Sequence, residues 1–277
     1  MILAAISFND IWPAGAMMVA LGAVFALILL VASIKLKVEV DPKIEQVQAA
    51  LPGVDCGACG MAGCGSYAKA VVADPELLGK CAPGGADVSA AIAKILNLQA
   101  SGSGAPLRPV VHCKAHTEDR TYYAQYTGIP SCTAANAYAN VMACKFGCLS
   151  FGDCVAACKF DALHIVDGLA TVDYDKCTGC MACSKACPRN LIEMVPFTQE
   201  KMMTVACASK ENGKDTKAFC KVGCIGCKMC TKQSDNFVMA SATLAKTDYE
   251  NYEPSEQNET AMSKCPTGVI VYRGKGI

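Results

Sequence analysis

The stretch DKCTGCMACSKACPRN, residues 175–190, sets Cys177, Cys180, Cys183 and Cys187 in a Cys-x2-Cys-x2-Cys-x3-Cys-Pro run that ends on Pro188. Bacterial ferredoxins hold iron–sulfur cubes with this run, and in two-cluster domains the fourth cysteine crosses to the other cube. A partner motif is therefore expected upstream. CKFGCLSFGDCVAACKFDAL, residues 144–163, supplies Cys144, Cys148, Cys154 and Cys158 with irregular spacing. Setting Cys148, Cys154 and Cys158 against the regular run leaves Phe151 where the second cysteine belongs. Cys144, one helical turn earlier, is the expected replacement. The expected sets are Cys144, Cys148, Cys154 and Cys187 for one [4Fe–4S] cluster, and Cys158, Cys177, Cys180 and Cys183 for the other. Lys159 stands where a proline often follows the fourth cysteine.

Between the two motifs, ALHIVDGLATVD alternates around Asp167-Gly168, a two-residue hairpin signal, and LIEMV after Cys187 reads as a further short strand. That order of motif, hairpin, motif and strand is the ferredoxin layout.

An internal comparison extends the module. VVHC ending at Cys113 and CKFGC at residues 144–148 recur as TVAC ending at Cys207 and CKVGC at residues 220–224. The second copy keeps Cys224, Cys227 and Cys230, but Ser234 takes the place of the fourth cysteine, and its following half retains only Cys265 with Pro266. One cluster is expected there, on Cys224, Cys227, Cys230 and Cys265, with Cys220 as a competitor for a place on it. Cys113, Cys132 and Cys207 are expected to be buried packing residues, a common fate of free cysteine. His112, His116 and His164 lack the pairing that a Rieske-type site needs.

Upstream, LPGVDCGACGMAGC gives Cys56, Cys59 and Cys64 in a Gly-rich turn, and Cys81 follows in GKCAPGG. Four thiolates there suffice for one more [4Fe–4S] cube, with backbone amides aimed at its sulfurs. A Zn(Cys)4 knuckle would use the same ligands. A short helix is expected over Ser66–Ala73 and another over GADVSAAIAKIL. LQASGSGAPLRP, residues 98–109, reads as a flexible linker.

Near the amino terminus, AGAMMVALGAVFALILLVASI, residues 14–34, carries no charge and is long enough to cross a hydrocarbon core as a helix. Lys35, Lys37 and Lys43 follow it and only Asp10 precedes it, so the positive-inside rule puts the carboxyl-terminal bulk on the cytoplasmic side of the membrane. Lys35–Gln48 reads as a continuation of that helix. A reducing cytosol keeps the 20 cysteines of this 277-residue chain as thiols available to iron.

Lys+Arg and Asp+Glu balance at 25 each, which argues against nucleic acid as a partner. No dinucleotide fingerprint, phosphate loop or catalytic triad is present, so no complete catalytic site is expected. The expected fold class is α+β: a single transmembrane helix (1–35), a four-Cys iron–sulfur domain (36–97), the linker (98–109), a two-cluster ferredoxin-like domain (110–200) and a degenerate copy with one cluster (201–277).

The anchor, the LPGVDCGACGMAGC loop with Cys81, and the CKFGCLSFGDCVAAC module together resemble the B subunit of Rnf complexes, over nearly the whole chain. The resemblance implies an electron-transfer subunit of an ion-translocating ferredoxin:NAD oxidoreductase of bacterial and some archaeal membranes. Reduced ferredoxin would be the donor, other membrane subunits the acceptors, and Na+ or H+ the ion moved elsewhere in the complex. It also implies that Cys56, Cys59, Cys64 and Cys81 form the membrane-proximal relay. The shortened second copy departs from longer members. Two other readings fit the residues: a membrane-anchored relay for another acceptor, such as a reducing system for a redox regulator, and a zinc-stabilised scaffold.

Overall fold

In a computed structural model, residues 8–35, 41–98, 105–138 and 141–276 are described. Helix α1 (Phe8–Lys35) has no protein packed around it, and apolar side chains such as Leu29 (68% exposed) and Ile34 (69%) face outward. Among the described residues it is the one helix long and apolar enough to cross a membrane, over Gly15–Lys35. It does not run on to Gln48. A separate helix α2 (Pro42–Ala50) starts where Pro42, lacking an N–H, occupies the first turn, and Asp41 caps it by accepting from the Lys43 amide at 2.9 Å. Lys37 lies outside the described residues, as does the stretch 36–40.

Helix α2 packs with α3 (Cys64–Ala73) and α4 (Gly85–Leu96) around Val47, Tyr67, Val71, Cys81 and Ile92. The α3 helix begins at Cys64, two residues before the expected start. The Tyr67 hydroxyl donates to the Leu77 carbonyl at 2.9 Å, which closes the chain back towards Cys81.

Residues 99–104 of the expected linker lie outside the described residues, and its last three residues are strand. β1 (Leu107–Val111) pairs antiparallel with β4 (Ile192–Pro196), from Leu107↔Pro196 to Val111↔Ile192. Between them run α5 (Cys132–Asn136), α6 (Asp153–Ala156), the hairpin β2 (Leu163–Val166)–β3 (Leu169–Val172), and α7 (Ala182–Ala186). The hairpin turns at Asp167-Gly168, whose φ values of 46° and 78° are the left-handed pair that a two-residue turn requires.

The remaining chain repeats the pairing of an outer strand pair around a hairpin. β5 (Lys201–Val205) pairs with β8 (Ile270–Gly274), and β6 (Phe237–Met239) with β7 (Ala245–Thr247). Helices α8 (Gly213–Phe219), α9 (Met229–Gln233) and α10 (Glu256–Ser263) occupy the connections. One core serves both halves, because Val110, Tyr174 and Val195 of the first pack with Met203, Val205, Tyr249 and Ile270 of the second.

Glu193 on β4 also joins the halves. It contacts His112 Nε2 at 2.8 Å and Lys246 Nζ on β7 at 2.9 Å. The hydrogen bond from His112, with Lys246 adding to it, outweighs burial and holds the Glu193 carboxyl down at about 2. A depressed folded-state value gives stability that is present above the ordinary carboxylate range and is lost as pH falls through about 2. Glu193→Gln is expected to lower unfolding free energy by about 1 kcal/mol at neutral pH, after allowance for the half-exposed carboxylate. Chemical denaturation of the two proteins checks it.

Candidate metal centres

Cys177, Cys180 and Cys183 of the regular motif line a cavity with Cys158, which arrives from the end of α6. The chain reaches this geometry through two left-handed residues, Gly179 (φ 76°) and Met181 (φ 65°), the latter opening α7. Burial, then the neighbouring Cys177 and Cys180, pushes the Cys183 thiol up to about 12. Among the described residues Thr178 Oγ1 in the cavity wall is buried without a partner, and so is Nη1 of Arg108, whose charge acts on Cys177. Orphaned donors beside four thiols fit an anionic sulfur-rich guest.

The second cavity has a lining that differs from the sequence expectation. Cys148, Cys154 and Cys187 line it, but the fourth thiol is Cys132. Cys144 lines a different cavity. The thiol that stands in the place of the missing second cysteine comes from α5, twelve residues before Cys144. The Asp153 carboxylate holds α5 in place by accepting from the amides of Cys132 (2.8 Å) and Thr133 (2.9 Å) and from the hydroxyls of Ser131 (3.0 Å) and Thr133 (2.8 Å). Asp153 immediately precedes Cys154, so one carboxylate fixes both approaches to the cavity. Phe151 fills the vacated motif position by packing edge-on against Tyr126, with ring centroids 5.3 Å apart. Burial and the surrounding thiols raise Cys154 to about 12. Arg189 stands in the wall and donates to the carbonyls of Gly147 (2.7 Å) and Cys144 (3.0 Å).

In the carboxyl-terminal half, Cys224, Cys227, Cys230 and Cys265 line one cavity together. Cys220 is not among them. Ser234 is no stand-in ligand: it is buried, its Oγ donates to Asn258 Oδ1 at 2.6 Å, and Asn236 Nδ2 donates to the same oxygen at 3.0 Å. A hydrogen-bonded polar network occupies the place where the first half has a cysteine.

In the amino-terminal domain Cys59 and Cys64 pack against the core cluster that holds the buried Cys81; burial raises the Cys81 thiol, and Cys64, Cys56 and Cys59 add to that. Asp55 Oδ1 accepts from the Cys64 amide at 2.6 Å and fixes the loop against the start of α3. Lys159 Nζ, next to Cys158, donates to the Val54 carbonyl at 2.8 Å. That contact sets the amino-terminal loop beside the Cys158 cavity.

Cys113, Cys132 and Cys207, expected as packing residues, all line cavities. The signal was numerical: the motif reading leaves four cysteines over, as many as one further cluster takes. Among the described residues, no group of three or more His, Cys, Asp or Glu side chains is gathered tightly enough for one metal ion. The thiols instead stand apart around the walls of three small cavities. A four-iron cube with sulfide corners needs that spread, whereas a tetrahedral zinc does not.

Comparison with known proteins agrees with this chemistry. Residues 51–83 match a family described as a putative Fe-S cluster, and residues 170–193 one described as a 4Fe-4S binding domain. The chain is 35% identical over 252 residues to the B subunit of the Na(+)-translocating ferredoxin:NAD(+) oxidoreductase complex of Acetobacterium woodii, covering 90% of this chain and 74% of that protein. It is 34% identical to the B subunit of the ion-translocating oxidoreductase complex of Methanosarcina acetivorans, over 85% of this chain and 89% of that one. It is 37% identical to the B subunit of the proton-translocating ferredoxin:NAD(+) oxidoreductase complex of Clostridium ljungdahlii, over 91% and 89%.

Proposed function

Because the chain belongs to the B subunits of ion-translocating ferredoxin:NAD oxidoreductase complexes, it is an iron–sulfur electron-transfer subunit, and we propose that it receives electrons from reduced ferredoxin at its carboxyl-terminal end and delivers them beside the membrane. The observation that carries this reading is the set of cavities walled by four cysteines in residues 105–276, with the Cys56 loop held beside the Cys158 cavity by Lys159. Bound clusters supply one-electron storage with little movement of their ligands.

The ligand sets we assign are Cys56, Cys59, Cys64 and Cys81; Cys158, Cys177, Cys180 and Cys183; Cys132, Cys148, Cys154 and Cys187; and Cys224, Cys227, Cys230 and Cys265. Around them, burial excludes water, and the guanidinium groups of Arg108 and Arg189 offset the negative charge that ligated thiolates bring. Cys227 is the exposed cysteine of its set, and Lys228 and Lys232 flank it at the surface. A lysine-edged thiol at the surface suits an acidic electron carrier. At the other end, the Lys159–Val54 contact supports transfer from the Cys158 set to the Cys56 set.

We read residues 107–196 and 201–274 as duplicated ferredoxin-like modules, the second reduced to one cluster; the shared strand pairing and the CKFGC/CKVGC repeat support this. The segment 1–35 then anchors the chain as a single pass, with the cysteine domains on the cytoplasmic side, and membrane partners carry NAD reduction and Na+ or H+ movement.

Anaerobic mixing of the purified chain with reduced ferredoxin tests the proposal. The visible absorbance of the chain should bleach. Lys228→Glu with Lys232→Glu should slow the bleaching about tenfold at low salt, with the gap closing as salt is added. A colourless protein carrying zinc, or bleaching that ignores the charge reversal, would overturn it.

A further inference from the structure

The cavity that claims Cys144 is walled by three more cysteines, Cys113, Cys207 and Cys220. Its volume of about 20 Å³ matches those of the Cys148 and Cys224 cavities. From these four thiols at the seam between the two halves we infer a further [4Fe–4S] site, which deepens the electron-transfer reading above and rests on it.

Each half contributes two ligands from matching places. Cys113 follows β1 and Cys207 follows β5; Cys144 and Cys220 each open a Cys-Lys-x-Gly-Cys segment. The match extends to the surroundings. The backbone amides of Cys148 and Ala115 are directed at the Cys113 thiol, and those of Cys224 and Ser209 at the Cys207 thiol, the Ser209 amide donating to Sγ at 3.4 Å. Gly147 and Gly223 each lie close against the cysteine three residues before them, where an added Cβ would stand 3.5 Å from Sγ in both cases. Packing alone requires no such two-fold correspondence of thiols and amide donors. A shared guest between the halves does.

Arg120 lines the same cavity and is only 8% exposed. Its donors go to neutral acceptors: the carbonyls of Ala115 (Nε, 2.9 Å), Cys148 (Nη1, 2.6 Å) and Gly168 (Nη2, 2.9 Å), and Ser150 Oγ (3.0 Å). Among the described residues no carboxylate pairs with it. A guanidinium buried without an anion is costly, and four ligated thiolates supply the anion. Its charge acts on both Cys113 and Cys220, one ligand from each half.

The site stands next to two others in the chain. Cys144 is four residues from Cys148, and Cys220 is four residues from Cys224. An extended chain of that length reaches at most about 14 Å, so this cluster lies between the Cys224 set and the Cys148 set. It completes the path across the seam. One electron arrives from the Cys224 side and the same electron leaves towards the Cys148 side, with no bond made or broken and no proton moved.

Iron and acid-labile sulfide in the full chain, purified anaerobically, test the inference. Five sets predict about twenty of each per chain, against about sixteen for four sets, at four per cube. Cys113→Ser, Cys144→Ser, Cys207→Ser and Cys220→Ser should each lose about four iron and the same component of the reduced-state paramagnetic resonance spectrum, whereas Cys132→Ser should lose a different component. Sixteen iron in the wild type, unchanged in Cys113→Ser and Cys207→Ser, overturns this site and leaves the electron-transfer reading standing. Cys144→Ser removing the same component as Cys132→Ser also overturns it, as does one zinc lost in step with these substitutions. A colourless wild type overturns both readings. Native mass spectrometry of the wild type, which needs no variant to fold, should show the mass of five cubes; four would count against the site.

Discussion

Stripping iron from the protein under anaerobic conditions is expected to unfold residues 105–276, with loss of amide-exchange protection in β1, β4, β5 and β8. The reason lies in how little secondary structure these residues have on their own. Among the described residues every sheet is a two-stranded pair, and the longest helix after residue 105 is α10, with eight residues. An isolated two-stranded ribbon is marginal in water, and helices shorter than about 12–15 residues do not hold by themselves. What joins the pieces is a core in which cysteines are wall material: Cys148, Cys154 and Cys183 pack with Val111, Leu163 and Ile192. Ligation ties the end of one short helix to the start of another through iron, so binding energy becomes folding energy. Its removal should cost the whole domain stability, about 5–15 kcal/mol. The α1 helix should keep its far-ultraviolet signal in detergent, because its hydrogen bonds are internal to one segment. Retained protection in β1 and β4 after iron removal would falsify this account.

Gly179→Val should be nearly as damaging. Gly179 has φ 76°, and a Cβ there would run into the carbonyl oxygen of Leu107, the first residue of β1. Left-handed backbone costs a branched side chain about 1–2 kcal/mol, and the collision with main chain adds to that because neither atom can rotate away. We expect a total loss of about 3 kcal/mol or more, and with it the iron held by the Cys177 set. Gly60→Val separates the two contributions. Gly60 has φ 83° with no neighbour within 4 Å of an added Cβ, so it should show the backbone strain alone. Equal losses of stability and iron in the two variants would mean that the contact with β1 is irrelevant.

The two effects share a physical origin. Thiol positions are set by short turns, and the turns are held by contact with strands far away in sequence. Cys177, Cys180 and Cys183 were legible because one turn presents all three and its spacing reports the cube directly. The hairpin at Asp167-Gly168 was legible for the same reason, since two left-handed residues between alternating strands are a local instruction. Strand β1 was not: Leu107–Val111 follows a Gly- and Ser-rich stretch and becomes a strand only because β4 offers it a partner.

The same division runs through the metal centres. By itself the sequence determined that this chain carries an apolar helix before a series of cysteine motifs, that Cys224, Cys227, Cys230 and Cys265 are grouped as the structure groups them around one cavity, and that the chain resembles an electron-carrying membrane subunit. Only the tertiary structure decided where Cys132 and Cys144 go. Nearness in sequence favoured Cys144 for the Cys148 cavity, but a peptide one turn long can point its thiol either way. Asp153 turns α5 so that Cys132 faces that cavity, while the packing of one half against the other draws Cys144 to Cys113, Cys207 and Cys220. Spacing encodes ligands that a single turn can present; ligands that meet across a seam are encoded in the packing that forms it.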